Sequence, residues 1–105
     1  MQFDIRRQGI EIDDEAKARL LRRLDFALGR LGRHVTRVWV HLADENGPRG
    51  GIDKRCRILV RLQHLPDVLV EDRDADLNIL IDRTVNRAGL AARRELSRRL
   101  TLRGR

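Results

Sequence analysis

Three runs in the middle of the chain alternate apolar and polar residues, and each run makes only one apolar face. In His34 to Ala43, Val38, Val40 and Leu42 alternate with Arg37, Trp39 and His41. In Lys54 to Leu65, Cys56, Ile58, Val60 and Leu62 alternate with Arg55, Arg57, Leu59 and Arg61. After Pro66, Val68 and Val70 alternate with Asp67, Leu69 and Glu71. A period of two sends successive side chains to opposite faces of a sheet. With one apolar face only, everything that buries the sheet must lie on the same side.

Two amphipathic helices are available to do so. The first follows a strand, Gln2 to Gln8, in which Phe3 and Ile5 alternate with Asp4 and Arg6, and which Gly9 breaks. Asp13 is the expected N-cap, and Ala16, Leu20, Leu24, Ala27 and Leu31 form an apolar stripe. The spacing predicts a helix over Asp14 to Leu31, with Gly32 just past its end. The last third of the chain carries a second stripe, Leu77, Ile81, Val85, Ala88, Ala92 and Leu96, with Asp74 as expected N-cap and Asp76 in the first turn. Gly89 falls inside this helix, where it costs about 1 kcal/mol relative to Ala. Close packing or a slight bend is expected there. The order is therefore β-α-β-β-β-α: an α+β two-layer sandwich, a four-stranded sheet with two helices on one face. The strand–helix–strand connection makes its strands parallel, and the other strands form an antiparallel meander. With 105 residues, 1–105 is expected to be a single domain.

Charge is distributed unevenly along this scaffold. The net charge is +7. Residues 35–74 hold seven basic and seven acidic residues, while residues 75–105 hold eight Arg against Asp76, Asp82 and Glu95. The excess thus sits in the two helix-bearing ends. On a helical wheel, Arg19, Arg23, Phe26 and Arg30 lie along one flank of the first stripe, with Arg22 just beyond. Arg83, Arg87, Arg94 and Arg98 lie along one flank of the second, sharing it with Leu80 and Ala91, while Arg93 and Arg99 point elsewhere. Few carboxylates sit four residues away to neutralise them, and arginine that repels itself calls for an anionic partner. Two helices side by side then offer a groove flanked by arginines. Phe26 either covers the edge of the core or contacts nucleic acid. The only aromatics are Phe3, Phe26 and Trp39, too few for a base-stacking sheet, which favours recognition of phosphate backbone or shape. Asp67 and Glu71 are expected to pair across the outer sheet face with Arg57, Arg61 or Arg37.

Other classes of function find little support. His34, His41 and His64 are not spaced as metal pairs with Cys56, which reads as a core residue, and Ser97 has no nucleophile elbow. Asp44 to Asp53 is rich in Gly, but carries neither GxxxxGK[ST] nor GxGxxG. Arg49, Lys54 and Arg55 remain candidates to touch a phosphate backbone from that loop. No enzyme, metal, cofactor or small-molecule substrate is expected. No apolar run is long enough to span a bilayer, no signal peptide opens the chain, and a lone cysteine suits a reducing cytoplasm.

The chain resembles the ribosome hibernation promoting factors, also called ribosome-associated translation inhibitors, along almost its whole length. The resemblance lies in the Gln2-to-Ile5 strand, in Ile10-Glu11-Ile12, and in Val68-Leu69-Val70-Glu71-Asp72 followed by Asp76-Leu77 and Ile81-Asp82. Gly47 to Cys56 is similar to a proteobacterial subgroup of the same family. The resemblance implies a fold similar to double-stranded-RNA-binding domains. It also implies binding to rRNA in the decoding region of the small ribosomal subunit, where the protein blocks mRNA and tRNA and silences translation under stress or in stationary phase. Arg23 and Arg87 match basic sites of the family; Arg19, Arg22, Phe26, Arg30, Arg83, Arg94 and Arg98 follow from the flank argument alone. The family commonly has Tyr at the position of Asn78 and often Lys at that of Phe26. The expectation is the short form of the family, without the extra domain with which long members pair ribosomes, and a monomer off the ribosome. The alternatives are a general double-stranded-RNA binder of the same fold, or a protein-interaction module using Trp39, Leu59 and Leu69.

Overall fold

A computed structural model describes residues 1–45 and 53–103, with side chains through residue 98. Arg49 and the glycines of the Asp44 to Asp53 stretch lie outside the described residues. The elements are β1 (Gln2–Gln8), α1 (Asp14–Leu28), a 3₁₀ segment (Gly29–His34), β2 (Val35–Asp44), β3 (Lys54–Leu62), β4 (Val68–Asp74) and α2 (Leu77–Arg103). The sheet order is β1-β2-β3-β4, with β1 parallel to β2 and the rest antiparallel. The expected α+β architecture is thus the one observed.

The alternation decides what is buried. Val38, Val40, Leu42, Cys56, Ile58, Val60, Leu62 and Val70 point to one side and form the floor of the core. Leu20, Leu24 and Leu28 of α1, and Leu80, Ile81, Val85, Ala88, Ala92 and Leu96 of α2, close it from above. Cys56 is fully buried, and loss of water around its thiol pushes its pKa up to about 12 despite a contact from Thr84. It is a packing residue. Thr84, which lies at a polar position of the expected stripe, is also fully buried; its hydroxyl donates to the carbonyl of Leu80 at 2.6 Å and needs no other partner.

Element ends differ from expectation for local reasons. Asp13 does cap α1, accepting from the Ala16 amide at 2.7 Å. The α-helix stops at Leu28 rather than Leu31, because the chain tightens into the 3₁₀ segment so that Leu31 can still reach the core. Gly32 there takes φ 52°, a value L side chains avoid. β3 ends at Leu62, three residues early, because His64 adopts φ 63° and turns the chain. β4 continues through Asp74, so Asp74 is still a strand residue and cannot be the cap of α2. Asp76 takes that role, accepting from the Ile79 amide at 3.0 Å, while Asp74 accepts from the Asp76 amide at 2.9 Å.

The outer face of the sheet is tied by ion pairs. Arg57 meets Glu71 at 3.3 Å and Arg61 meets Asp67 at 3.4 Å, as the alternation predicted, whereas Arg37 turns to Asp4 of β1 at 3.2 Å. The guanidiniums of Arg37 and Arg61 lie over the Trp39 ring, at 4.9 and 4.8 Å from its centre. Among the described residues, no helix is long and apolar enough to cross a membrane.

Candidate nucleic-acid interface

The interface is built where α1 and α2 lie side by side. Their contacts advance together along both helices, so the two run parallel. Arg19 Nη2 donates to Asn78 Oδ1 at 2.7 Å, and one turn on, Arg23 pairs with Asp82 at 3.0 Å. Further along, Gly89 sits against Ala27. A Cβ at Gly89 would stand 3.0 Å from the Ala27 carbonyl oxygen and 3.1 Å from its Cβ. The mid-helix glycine thus serves close packing, and its propensity cost is the condition of helix contact. Asn78, Asp82, Asn86, Gly89 and Arg93 recur at spacings of four, four, three and four, which makes them one stripe facing α1.

The structure brings Arg19, Arg22, Arg23 and Phe26 of α1, and Arg30 of the 3₁₀ segment, onto this groove, all five of the residues expected there. Phe26 is 78% exposed, so it does not cover the core edge. It stands between two depressions of about 330 and 480 Å³. One is shared with Arg30, Asn86, Leu90 and Arg93, the other with Arg19, Arg22, Arg23 and Asp82. The groove therefore holds five arginines against the single carboxylate Asp82. Among the described residues, Arg22, Arg30 and Arg93 have no ion-pair partner. Arg19 is held by a neutral amide and keeps its charge uncompensated.

The expected α2 residues are elsewhere. Arg83, Arg87, Arg94 and Arg98 lie on the flank away from α1, toward β4. Arg83 Nε donates to Asp72 Oδ2 at 2.6 Å, its Nη1 to Asp74 Oδ2 at 3.1 Å, and its Nη2 to the Arg73 carbonyl at 2.9 Å. Arg87 Nη1 donates to Asp72 Oδ2 and to the Glu71 carbonyl, both at 3.2 Å. Arg98 pairs with Glu95 at 2.6 Å. Only Arg94 of the four is without a partner among the described residues. The Arg83 guanidinium and the Arg73 amide hold the Asp72 carboxyl below its usual range. The Asp76 amide, followed by Arg83, does the same for Asp74, and Arg83 is in turn raised by Asp72. This flank is a strap of charge that fastens α2 to the sheet edge.

Arg93 and Leu80 stand differently in the structure from their places on the helical wheel. Arg93, set aside as pointing elsewhere, lines the groove. Leu80, placed on the arginine flank, is fully buried. A wheel shows that the apolar stripe has two flanks, not which of them meets the neighbouring helix. Gly89 carried that information, since a glycine inside a helix marks the side of closest approach, and Arg93 lies one turn beyond it. The carboxylates of Asp72 and Asp74 escaped a search at helical spacing because they come from the preceding strand. Among the described residues, no group of three His, Cys, Asp or Glu is placed to hold a metal ion.

The chain is similar in structure to the N-terminal domain of Protein Y from Thermus thermophilus. The two are 28% identical, with 90% of this chain and 98% of that chain covered and a TM-score of 0.67. It also superposes on a ribosomal subunit interface protein from Coxiella burnetii, at 10% identity, 91% and 99% coverage and a TM-score of 0.73, a likeness of fold alone. The sequence matches no protein-family model and no curated protein. The likeness to the Thermus thermophilus domain agrees with the resemblance read from the residues, and the Coxiella burnetii protein supports the fold.

Proposed function

We propose that this protein is a non-enzymatic, cytoplasmic ribosome hibernation factor. It binds rRNA in the decoding region of the small ribosomal subunit, where it blocks mRNA and tRNA and silences translation. The observation that carries this reading is the groove between parallel α1 and α2. It has five arginines to one carboxylate, on a chain 28% identical to the N-terminal domain of Protein Y from Thermus thermophilus. Guanidiniums left without carboxylates are matched by phosphate, which accepts two parallel hydrogen bonds from each. The neutral sheet and the strapped flank of α2 leave this groove as the side that meets RNA. Arg19, Arg22, Arg23, Arg30 and Arg93 are its phosphate contacts. Arg94 and the paired Arg83, Arg87 and Arg98 are secondary.

The test is cosedimentation with small ribosomal subunits over a range of salt. Binding is expected to weaken steeply as salt rises, because each phosphate contact releases counterions. Free duplex RNA bound as tightly as subunits would replace this reading with that of a general duplex-RNA binder.

A further inference from the structure

We infer that Phe26 is a stacking platform for one unpaired RNA base, and that the groove reads a nucleotide splayed out of its helix as well as phosphate backbone. This rests on the RNA-binding reading above and names what that groove grips. A phenylalanine on a helix with a packed core beside it ordinarily turns inward. This one is 78% exposed and stands upright between two depressions of the groove. Its surroundings are built for a nucleotide. Leu90, itself exposed, extends the apolar floor on one side. Arg30 and Arg93 border that same depression, and Arg22 and Arg19 border the other. A base laid on the ring would thus find guanidiniums within the same groove for its flanking phosphates. Asn86 borders both depressions and presents an amide that can donate to and accept from a base edge. A paired duplex keeps its bases stacked inside, so an upright ring in the groove is useful only to a base that has left the stack. Every base offers a π-face, so the platform tolerates any base identity, with the amide as the one element of choice.

The experiment compares Phe26→Leu, Phe26→Trp and Arg22→Ala/Arg30→Ala in binding small ribosomal subunits at several salt concentrations. It also measures the fluorescence of an RNA hairpin carrying a single bulged 2-aminopurine. Phe26 is on the surface, so all variants are expected to fold, and circular dichroism checks this. Phe26→Leu is expected to weaken subunit binding about tenfold, within the range that a lost base–aromatic stack costs. The salt dependence should stay unchanged, because no charge was removed. Phe26→Trp restores binding, and quenching of the bulged base is seen with Phe and Trp but not Leu. If Phe26→Leu binds as the unaltered protein does while the arginine variant loses affinity, stacking is overturned and the RNA-binding reading stands. If neither variant loses affinity, both are overturned. If Leu and Trp are equally damaging and the bulged base is unquenched in every case, the ring contacts protein rather than a base, and stacking is again overturned.

Discussion

The two flanks of α2 use the same residue for opposite ends. On the β4 side, Arg83 and Arg87 are committed to Asp72 and Asp74, and their charge is spent inside the chain. On the α1 side, Arg93 joins Arg19, Arg22 and Arg30 in a groove with one carboxylate among five arginines. A solvent-exposed ion pair adds little stability, commonly below about 1 kcal/mol. The strap on β4 gains by being a network: one carboxylate receives two guanidiniums and a backbone amide, and one guanidinium spans two carboxylates and a carbonyl. What matters about an arginine here is therefore not its number on a wheel but whether the fold delivers a carboxylate to it.

The comparison breaks first where charge is reversed. Arg22→Glu/Arg30→Glu/Arg93→Glu is expected to lower small-subunit affinity by about a hundredfold or more, since three phosphate contacts become repulsions. Thermal stability should hardly change, because these three have no ion-pair partner to lose. The matching reversal of Arg83 and Arg87 should do the opposite, lowering Tm before it lowers binding. Cosedimentation and circular dichroism on the two sets together test the division. If the second set abolishes binding in a protein of normal Tm, the flanks have been assigned the wrong way round.

Next in size is the contact that holds the groove together. Gly89→Leu places a side chain against the Ala27 backbone carbonyl, which cannot rotate aside. Overpacking of this kind costs about 2 kcal/mol. Both stability and subunit binding should fall, since the helices must separate; chemical denaturation and cosedimentation measure the two losses.

Smaller still is the strap. Asp72→Ala removes the shared acceptor of Arg83 and Arg87. It is expected to destabilise by about 1 kcal/mol, a charged hydrogen-bond pair discounted for its exposure to solvent. Subunit affinity should stay the same or rise slightly, because Arg87 loses its carboxylate while Arg83 keeps Asp74.

The smallest effect is in pH. Asp72 and Asp74 have folded pKa values below the 3.8 of the free side chain. Their contribution is complete above that value and is lost as pH falls through the depressed folded value. Asp72→Asn should therefore be less stable than the unaltered protein at neutral pH, and the two should converge in acid below pH 3.8. Melting curves across that range check the sign; a gap that widens in acid would contradict the strap.

Much of this was legible before any coordinates. The one-sided alternation of the strands placed both helices on one face. The Asp13 cap, the Gln2–Gln8 strand and the pairing of Asp67 and Glu71 with outer-face arginines followed from spacing; which arginine met which carboxylate did not. These are local or nearest-neighbour relations, and their periods of two and 3.6 are written in the chain itself. The four groove residues of α1 and Arg30 of the 3₁₀ segment were legible too, because the first apolar stripe has only one arginine-rich flank. The ends of α1 and β3 were not. They are set by a 3₁₀ turn that lets Leu31 reach the core and by a left-handed His64, which answer to packing rather than to propensity.

The sequence by itself determined how many arginines the helices carry and that two amphipathic helices share one sheet face. Tertiary structure alone decided which of those arginines are free. Asp72 and Asp74 come eleven and nine positions before Arg83, in the strand that precedes α2, so no spacing within the helix links them. Only the turn from β4 into α2 lays them alongside it. Likewise Arg93 faces α1 because Gly89 lets the helices touch on that side, a choice made by the pair of helices and not by either one.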